Sequence, residues 1–405
     1  MKKIKFSDLY TISSGISSTK EQAGHGSPFL SFSTVFNNFF IPDKLEDLMD
    51  TSESEQKTYS IKSGDIFLTR TSEVIDELAM SSVALKDYPN ATYSGFLKRL
   101  RPIDGLKTYP KFMAFYLRTP LFRKTITNNA TMTLRASFNE TIFSYLDLLL
   151  PDYSEQKKIG DFLYLINQKI ALNKQINARL EEMAKTLYDY WFVQFDFPDT
   201  DGKPYKSSGG EMVFDETLKR EIPKGWGSIE LQSCLAKIPN TTKILNKDIK
   251  DFGKYPVVDQ SQDFICGFTN DEKSILNPQD AHIIFGDHTR IVKLVNFQYE
   301  RGADGTQVIL SNNERMPNYL FYQIINQIDL SSYGYARHFK FLKEFKIILP
   351  SKDISQKYNE IANTYFVKVR NNIKQNHQLT QLRDFLLPML MNGQVSVTCS
   401  GARDG

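Results

Sequence analysis

The sequence predicts a mixed α/β (α+β) architecture: two globular domains separated by two long antiparallel coiled-coil helices, the whole forming a pseudo-twofold internal repeat. Three observations predict it. At 405 residues the chain is too long for one ordinary core. A set of landmarks recurs in the same order in both halves at a period of roughly 200 residues, far above that of a solenoid, which implies a duplicated half-protein. Each set is followed by a long stretch of helical period, poor in Gly and Pro.

The landmarks define the elements in turn. Pro28-Phe29-Leu30 answers Pro256-Val257-Val258, each proline opening a short apolar run. Gly64-Asp65-Ile66-Phe67-Leu68-Thr69-Arg70 answers Ala281-His282-Ile283-Ile284-Phe285-Gly286-Asp287, an apolar strand running into a polar loop. Tyr109-Pro110 and Met316-Pro317 each open an aromatic helix, because proline suits the first helical position. Leu148-Leu149-Leu150-Pro151 answers Ile347-Ile348-Leu349-Pro350, a buried strand stopped by proline.

Gln156-Lys157 and Gln356-Lys357 then lead into the long helices. In the first, Ile159, Leu163, Ile166, Ile170, Asn173, Asn177, Leu180, Ala184, Leu187 and Trp191 fall at 4,3 spacing, the seam of a coiled coil. The two Asn suit a register-fixing role better than burial. In the second, Ala362, Phe366, Val369, Ile373, Asn376, Leu379, Leu382, Leu386 and Leu390 make a looser stripe, with Pro388 near its end as a point of disturbance. A helix of about 35 residues spans roughly 50 Å and needs a partner for its apolar stripe. Its counterpart in the other half is the natural one, at high effective concentration and antiparallel, the other reading being two independent dimerisation helices. The boundaries fall at 1–151 (first globular domain), 152–193 (first long helix), 194–221 (linker dense in turn formers), 222–350 (second globular domain), 351–396 (second long helix) and 397–405 (tail).

Composition narrows the class. With 41% hydrophobic and 24% charged residues the chain is globular rather than disordered. Cys234, Cys266 and Cys399 are odd in number and far apart, so neither a disulfide framework nor a zinc knuckle can be drawn. The start, Met1-Lys2-Lys3-Ile4-Lys5-Phe6-Ser7-Asp8, lacks the apolar run of a signal peptide, and no stretch is apolar enough to span a membrane. The expectation is a cytoplasmic protein with no membrane partner. A net charge of +3 decides nothing, but its distribution is uneven. Lys98, Arg99, Arg101, Lys107, Lys111, Arg118, Arg123, Lys124 and Arg135 face a single acid, Asp104, and a smaller cluster gathers Arg337, Lys340, Lys343 and Lys346.

The order of domain, helix, linker, domain, helix resembles the specificity subunits of type I restriction–modification enzymes. The resemblance is carried by Leu150-Pro151 followed by Glu155-Gln156-Lys157-Lys158-Ile159, by Asn173-Lys174-Gln175-Ile176-Asn177-Ala178-Arg179-Leu180, by Trp191-Phe192, by the linker from Asp201-Gly202-Lys203-Pro204 to Gly209-Gly210, and by Pro223-Lys224-Gly225-Trp226. Leu382-Arg383-Asp384-Phe385-Leu386-Leu387-Pro388-Met389-Leu390 with Gly393 is similar to that family's C-terminal region, whereas the tail after Val397 resembles nothing. It implies that each globular domain is a target-recognition domain reading half of a split double-stranded DNA target. The helices then set the gap and hold two methyltransferase subunits, and restriction subunits are admitted as further partners. No catalytic site, metal or cofactor is implied.

DNA binding needs cations that track phosphates and side chains that reach base edges. In the first half the candidates are Lys98, Arg99, Arg123, Lys124, Thr131, Thr133, Arg135 and Asn139, with Arg70 and Thr71 after the internal strand. In the second they are Tyr333, Tyr335, Arg337, His338 and Lys340, with His288, Thr289 and Arg290 at the equivalent strand end. The bland reading of any one of them is a solvated loop charge; recurrence at equivalent places favours DNA. Unlike sequences there predict unlike half-sites. Helices of roughly 45 to 50 Å predict readers about 13 bp apart, centre to centre.

The rivals are an enzyme and a protein-binding coiled-coil adaptor. A methyltransferase needs an Asn/Asp-Pro-Pro-aromatic motif, and Asn277-Pro278-Gln279-Asp280 does not supply it. Gly253-Lys254-Tyr255 is not a P-loop, and His25, His282, His288, His338 and His377 are too scattered for a zinc motif. A divergent nuclease with dispersed carboxylates stays open.

Overall fold

The computed structural model describes residues 1–397 apart from 18, 73–77, 104–106, 130–135, 239–241, 273, 304 and 335–336. It forms two compact units, Met1–Ala171 with Asn376–Gly405, and Leu172–Gln375. Each contains one mixed sheet-and-helix domain and a portion of both long helices.

In the first unit, strand Lys2–Lys5 pairs antiparallel with Asp147–Leu150. A four-stranded antiparallel sheet runs Tyr10–Ser14, Leu97–Pro102, Ile66–Thr69, Ser81–Val83. A third sheet centres on Ala23–Leu30, which pairs in parallel with Thr92–Tyr93 through Phe29 and Thr92. The second unit repeats this plan. Gly227–Glu230 pairs with Lys346–Leu349, His282–Gly286 lies between Val292–Val295 and Thr306–Ile309, and Tyr255–Val258 pairs in parallel with Glu300–Arg301. One lone parallel bridge of each unit corresponds as well, Ile16 with Ser94 and Ile244 with Gly302.

The internal strands explain their unbroken apolar sequences. Alternate side chains of a strand point to opposite faces. Ile66 and Leu68 enter one core while Phe67 enters another, and Ile283 and Phe285 part from Ile284 in the same way. Both faces are covered, so no polar alternation is needed. The proline-led helices Pro110–Tyr116 and Asn318–Gln327 pack beside these strands, with Phe112 and Phe115, and Leu320 and Phe321, fully buried.

The first long helix spans Tyr153–Tyr188 and ends in a π-turn, Asp189–Val193. The second spans Lys352–Met391 and runs through Pro388 without a break; the disturbance expected there does not occur. The helices are antiparallel in both units. In the first, Asn376 Nδ2 donates to the Ile170 carbonyl at 3.2 Å. In the second, Asn173 Nδ2 donates to Gln375 Oε1 and Asn372 Nδ2 to Asn177 Oδ1, both at 2.8 Å, and Tyr358 Oη to the Ala184 carbonyl at 3.0 Å. Ile159, Leu163, Ile166, Ile170 and Asn173 are buried, while Asn177, Leu180 and Leu187 are half-buried. In the second helix Phe366 and Val369 are buried and Ile373, Asn376, Leu379 and Leu386 are half-buried. The seam departs from the expected stripe: Asn372 rather than Ile373 takes the buried place, Leu387 is buried beside Leu390, and Leu382 is 44% exposed. A straight helix drifts about 20° per heptad, so a seam over several heptads walks off a fixed 4,3 pattern.

The first domain is pinned to its helix by charge. Asp161 accepts from Tyr109 Oη (2.6 Å), Lys111 Nζ (2.8 Å) and Lys157 Nζ (3.1 Å). Burial raises this carboxyl, but the three donors outweigh it and hold it down at about 2. In the second unit Tyr319 Oη donates to Asn363 Oδ1 at 2.9 Å and its ring stacks on Phe366.

Residues 194–221, rich in turn formers, are folded. They carry strand Met212–Asp215, paired with Arg220–Pro223, and Phe197 stacks between Tyr205 (4.7 Å) and Trp226 (4.9 Å). Among the described residues no helix is long and apolar enough to cross a membrane.

Candidate nucleic-acid interface

The two candidate segments of each half meet. In the first domain the strand Ile66–Thr69 ends at Arg70, which is exposed and whose carbonyl accepts from Phe138 N at 2.9 Å. The adjoining backbone, Thr71–Ser72, pairs with Ala136–Ser137. In the second domain the strand ends at Asp287, whose carbonyl accepts from His338 N at 2.9 Å, with Asp287 Oδ1 accepting from Phe339 N at 2.9 Å. A loop after the internal strand is thus tied to the segment before the last short helix in both domains, Glu140–Tyr145 and His338–Glu344.

Residues 1–182 match the family model described as "Type I restriction modification DNA specificity domain". The chain is 26% identical over 339 residues to the type I restriction enzyme MjaIX specificity subunit of Methanocaldococcus jannaschii, covering 78% of this chain and 75% of that one. It is 25% identical over 439 aligned positions to the HindI specificity subunit of Haemophilus influenzae, covering 91% and 94%. The S subunit of a type I restriction–modification system from M. genitalium superposes with a TM-score of 0.57 at 16% identity, over 96% of this chain and 95% of that one. Over residues 1–182 the chain is thus similar to a type I restriction–modification DNA specificity domain, and along most of its length to type I specificity subunits.

The family match ends within the first long helix, yet the same strand and loop plan is built a second time in the second unit. The side chains at the two junctions differ. Around Asp287, His288 N donates to Gln260 Oε1 (3.1 Å) and Thr289 Oγ1 to the Gln260 carbonyl (2.7 Å). Arg290 adopts a φ of 62°, which directs the loop, and its guanidinium donates to the Leu330 carbonyl at 3.3 Å. Gln260 anchors this loop and carries no sequence signal, being one polar residue in the run Asp259-Gln260-Ser261-Gln262-Asp263. Thr289, Arg290, Arg337 and Lys340 are exposed, His288 is half-buried, and Tyr333 is exposed but stacked on Phe341 at 4.3 Å. His338 is buried.

The basic run of the first half behaves otherwise than its charge suggests. Lys98 is only 6% exposed and its ammonium donates to Ser14 Oγ at 2.8 Å, so it is no surface cation. Arg99 donates to the Ser60 carbonyl at 2.7 Å and lies over the Tyr93 ring, and burial pulls its guanidinium down. Arg101 grips Asp65 through two bonds, 2.8 and 2.6 Å, and Lys111 serves Asp161. Arg118 donates to the carbonyls of Ser81, Val35, Phe36 and Asn38 between 2.8 and 3.0 Å, and burial pulls it down to about 10. Arg123 donates to the Leu78 carbonyl. Asn139 is exposed, but its Oδ1 accepts from Ile142 N at 2.9 Å as a helix cap. For Arg99, Arg118 and Arg123 the cause is that loops bring backbone carbonyls inward that need donors, and long cationic side chains supply them; Lys98, Arg101 and Lys111 are instead taken up by a hydroxyl and by carboxylates. Thr71 is half-buried, and Arg70 and Lys124 are exposed. Thr131, Thr133, Arg135 and Tyr335 lie outside the described residues.

Proposed function

We propose that each globular domain reads one half of a bipartite duplex target through its paired-loop junction, and that the long helices set the unread gap between the halves. Their exposed faces seat two methyltransferase subunits, with restriction subunits where the system has them, and the chain itself catalyses nothing and acts in the cytoplasm. The observation that carries this reading is the repetition of one loop junction, Arg70 with Phe138 and Asp287 with His338, with unlike side chains on it. Unlike side chains at matching places present different donor and acceptor patterns to base edges, worth about 1–3 kcal/mol of discrimination per good bidentate contact. Helix side chains such as Leu165 (65% exposed) and Phe385 (68%) support protein partners on the helices, since large apolar groups left in water favour burial.

The test is enrichment of a random duplex pool by the chain assembled with methyltransferase, over a salt series. The expected result is one bipartite sequence and an affinity falling steeply as salt rises, because each neutralised phosphate releases counterions. Binding indifferent to both sequence and salt would instead identify an adaptor for protein partners.

A further inference from the structure

Phe96 is 64% exposed, an aromatic ring left in water on a turn whose backbone is firmly held. The Gly95 N–H donates to the Ile16 carbonyl (2.7 Å), the Phe96 N–H to Ser94 Oγ (3.2 Å) and the Leu97 N–H to the Ser94 carbonyl (2.9 Å). A Cβ on Gly95 would stand 2.9 Å from the Ile16 carbonyl oxygen, so the turn seats directly on that backbone. The Phe96 carbonyl accepts from Arg70 N at 2.8 Å, one step beyond the buried Thr69–Leu97 pair of the sheet. Residues opposite each other across an antiparallel pair carry their side chains on the same face, with Cβ atoms about 5 Å apart. The phenyl ring and the Arg70 side chain, both exposed, are therefore neighbours at the first-domain junction.

The second domain repeats this backbone and omits both groups. Asp287 N donates to the Gly305 carbonyl at 2.7 Å, one step beyond the Gly286–Thr306 pair. Asp287 is buried, and Gly305 has a φ of 78°. A Cβ on Gly305 would meet Gln260 Nε2 at 2.5 Å and His288 Cδ2 at 2.8 Å. The shared fold thus does not call for an aromatic at this place.

We infer that Phe96 is a specificity-determining residue of the first domain, packing its ring on the 5-methyl group of a thymine next to the base that Arg70 meets. This rests on the reading that the loop junctions meet duplex DNA. A phenyl left in water favours whatever covers it, and beside a cation the cover that fits is a polyanion with apolar groups in its groove. An aromatic side chain has two apolar modes on DNA, contact with a thymine methyl and insertion between base pairs. Arginine is the longer side chain. With its guanidinium at a base edge, the ring of its cross-strand neighbour stops short of the stack, where the thymine methyl projects into the major groove.

The experiment uses the full chain assembled with methyltransferase and the duplex it selects, the first domain's half being the one whose selection Arg70→Ala relaxes. Each thymine of that half is replaced in turn by uracil, which removes the methyl and keeps the base pairing. Wild type should bind about fourfold more weakly at one such position, the effect of losing one buried methyl-sized group, and be indifferent to uracil in the other half. Phe96→Ala should weaken binding to the thymine duplex by at least that factor and lose the response to uracil. Its selection of the other half and its thermal unfolding should match wild type, since the ring is mostly in solvent. Phe96→Leu, still apolar, should keep part of the response. A first half without thymine, or a Phe96→Ala complex that binds as wild type does or still distinguishes thymine from uracil, would overturn the inference. Wild type indifferent to uracil but weakened by Phe96→Ala would mark the ring as a wedge between base pairs, and loss of methyltransferase from the Phe96→Ala complex would assign it to protein docking; either result defeats the methyl contact. Should no duplex be selected, or Arg70→Ala relax neither half, it is the reading of the junctions as DNA-facing that falls.

Discussion

An arginine can serve DNA only if its guanidinium is not already committed, and Arg70 and Arg118 mark the two extremes. Arg70 is exposed at a strand end, whereas Arg118 spends its donors on four carbonyls. Arg70→Ala should leave thermal unfolding within about 0.5 kcal/mol of wild type and weaken selection at the first half-site by about 1–3 kcal/mol, read from half-site mutant duplexes. Arg118→Ala should do the reverse, lowering stability by roughly 2–4 kcal/mol in denaturant titrations, because several buried carbonyls lose their donor. Sequence reasoning found the strand-end loops, since an apolar run followed by a polar one is visible in a string. It could not separate structural from surface cations, because the carbonyls that claim Arg118 come from residues 35–38 and 81, distant in the chain.

At the scale of elements, the long helices were legible because 4,3 spacing is a direct image of helix geometry. The exchange of Ile373 for Asn372 was not, since it depends on the accumulated drift of the pair and on Asn177 waiting opposite. Asn372→Leu should cost about 1–2 kcal/mol by leaving Asn177 without its donor, and adding Asn177→Leu should recover most of it. Thermal melts of the two variants against wild type give that coupling. The aromatic stack of Phe197, Tyr205 and Trp226 was equally hidden, because turn formers around it spoke for a linker. The clamp on Asp161 adds a pH dependence. Its folded carboxyl is held at about 2, below the ordinary value of 3.8, so the unfolded chain binds more protons between these values. The stabilisation is complete above about pH 4 and disappears as pH falls through about 2. Acid titration of unfolding should show this slope in wild type and its loss in Asp161→Asn.

For the whole molecule, the repeated fold with unlike junctions implies a target of two unlike halves. Duplicated landmarks in the sequence reveal the repeat because strands, prolines and helix seams recur in order; the bases read do not follow, because a loop's residue types leave open which base each meets. The most direct measurement is the sequence context of every base methylated by the assembled complex. The account predicts one motif of two different halves separated by an unread gap of invariant length. A contiguous motif, two identical halves, or a gap that varies from site to site would contradict it.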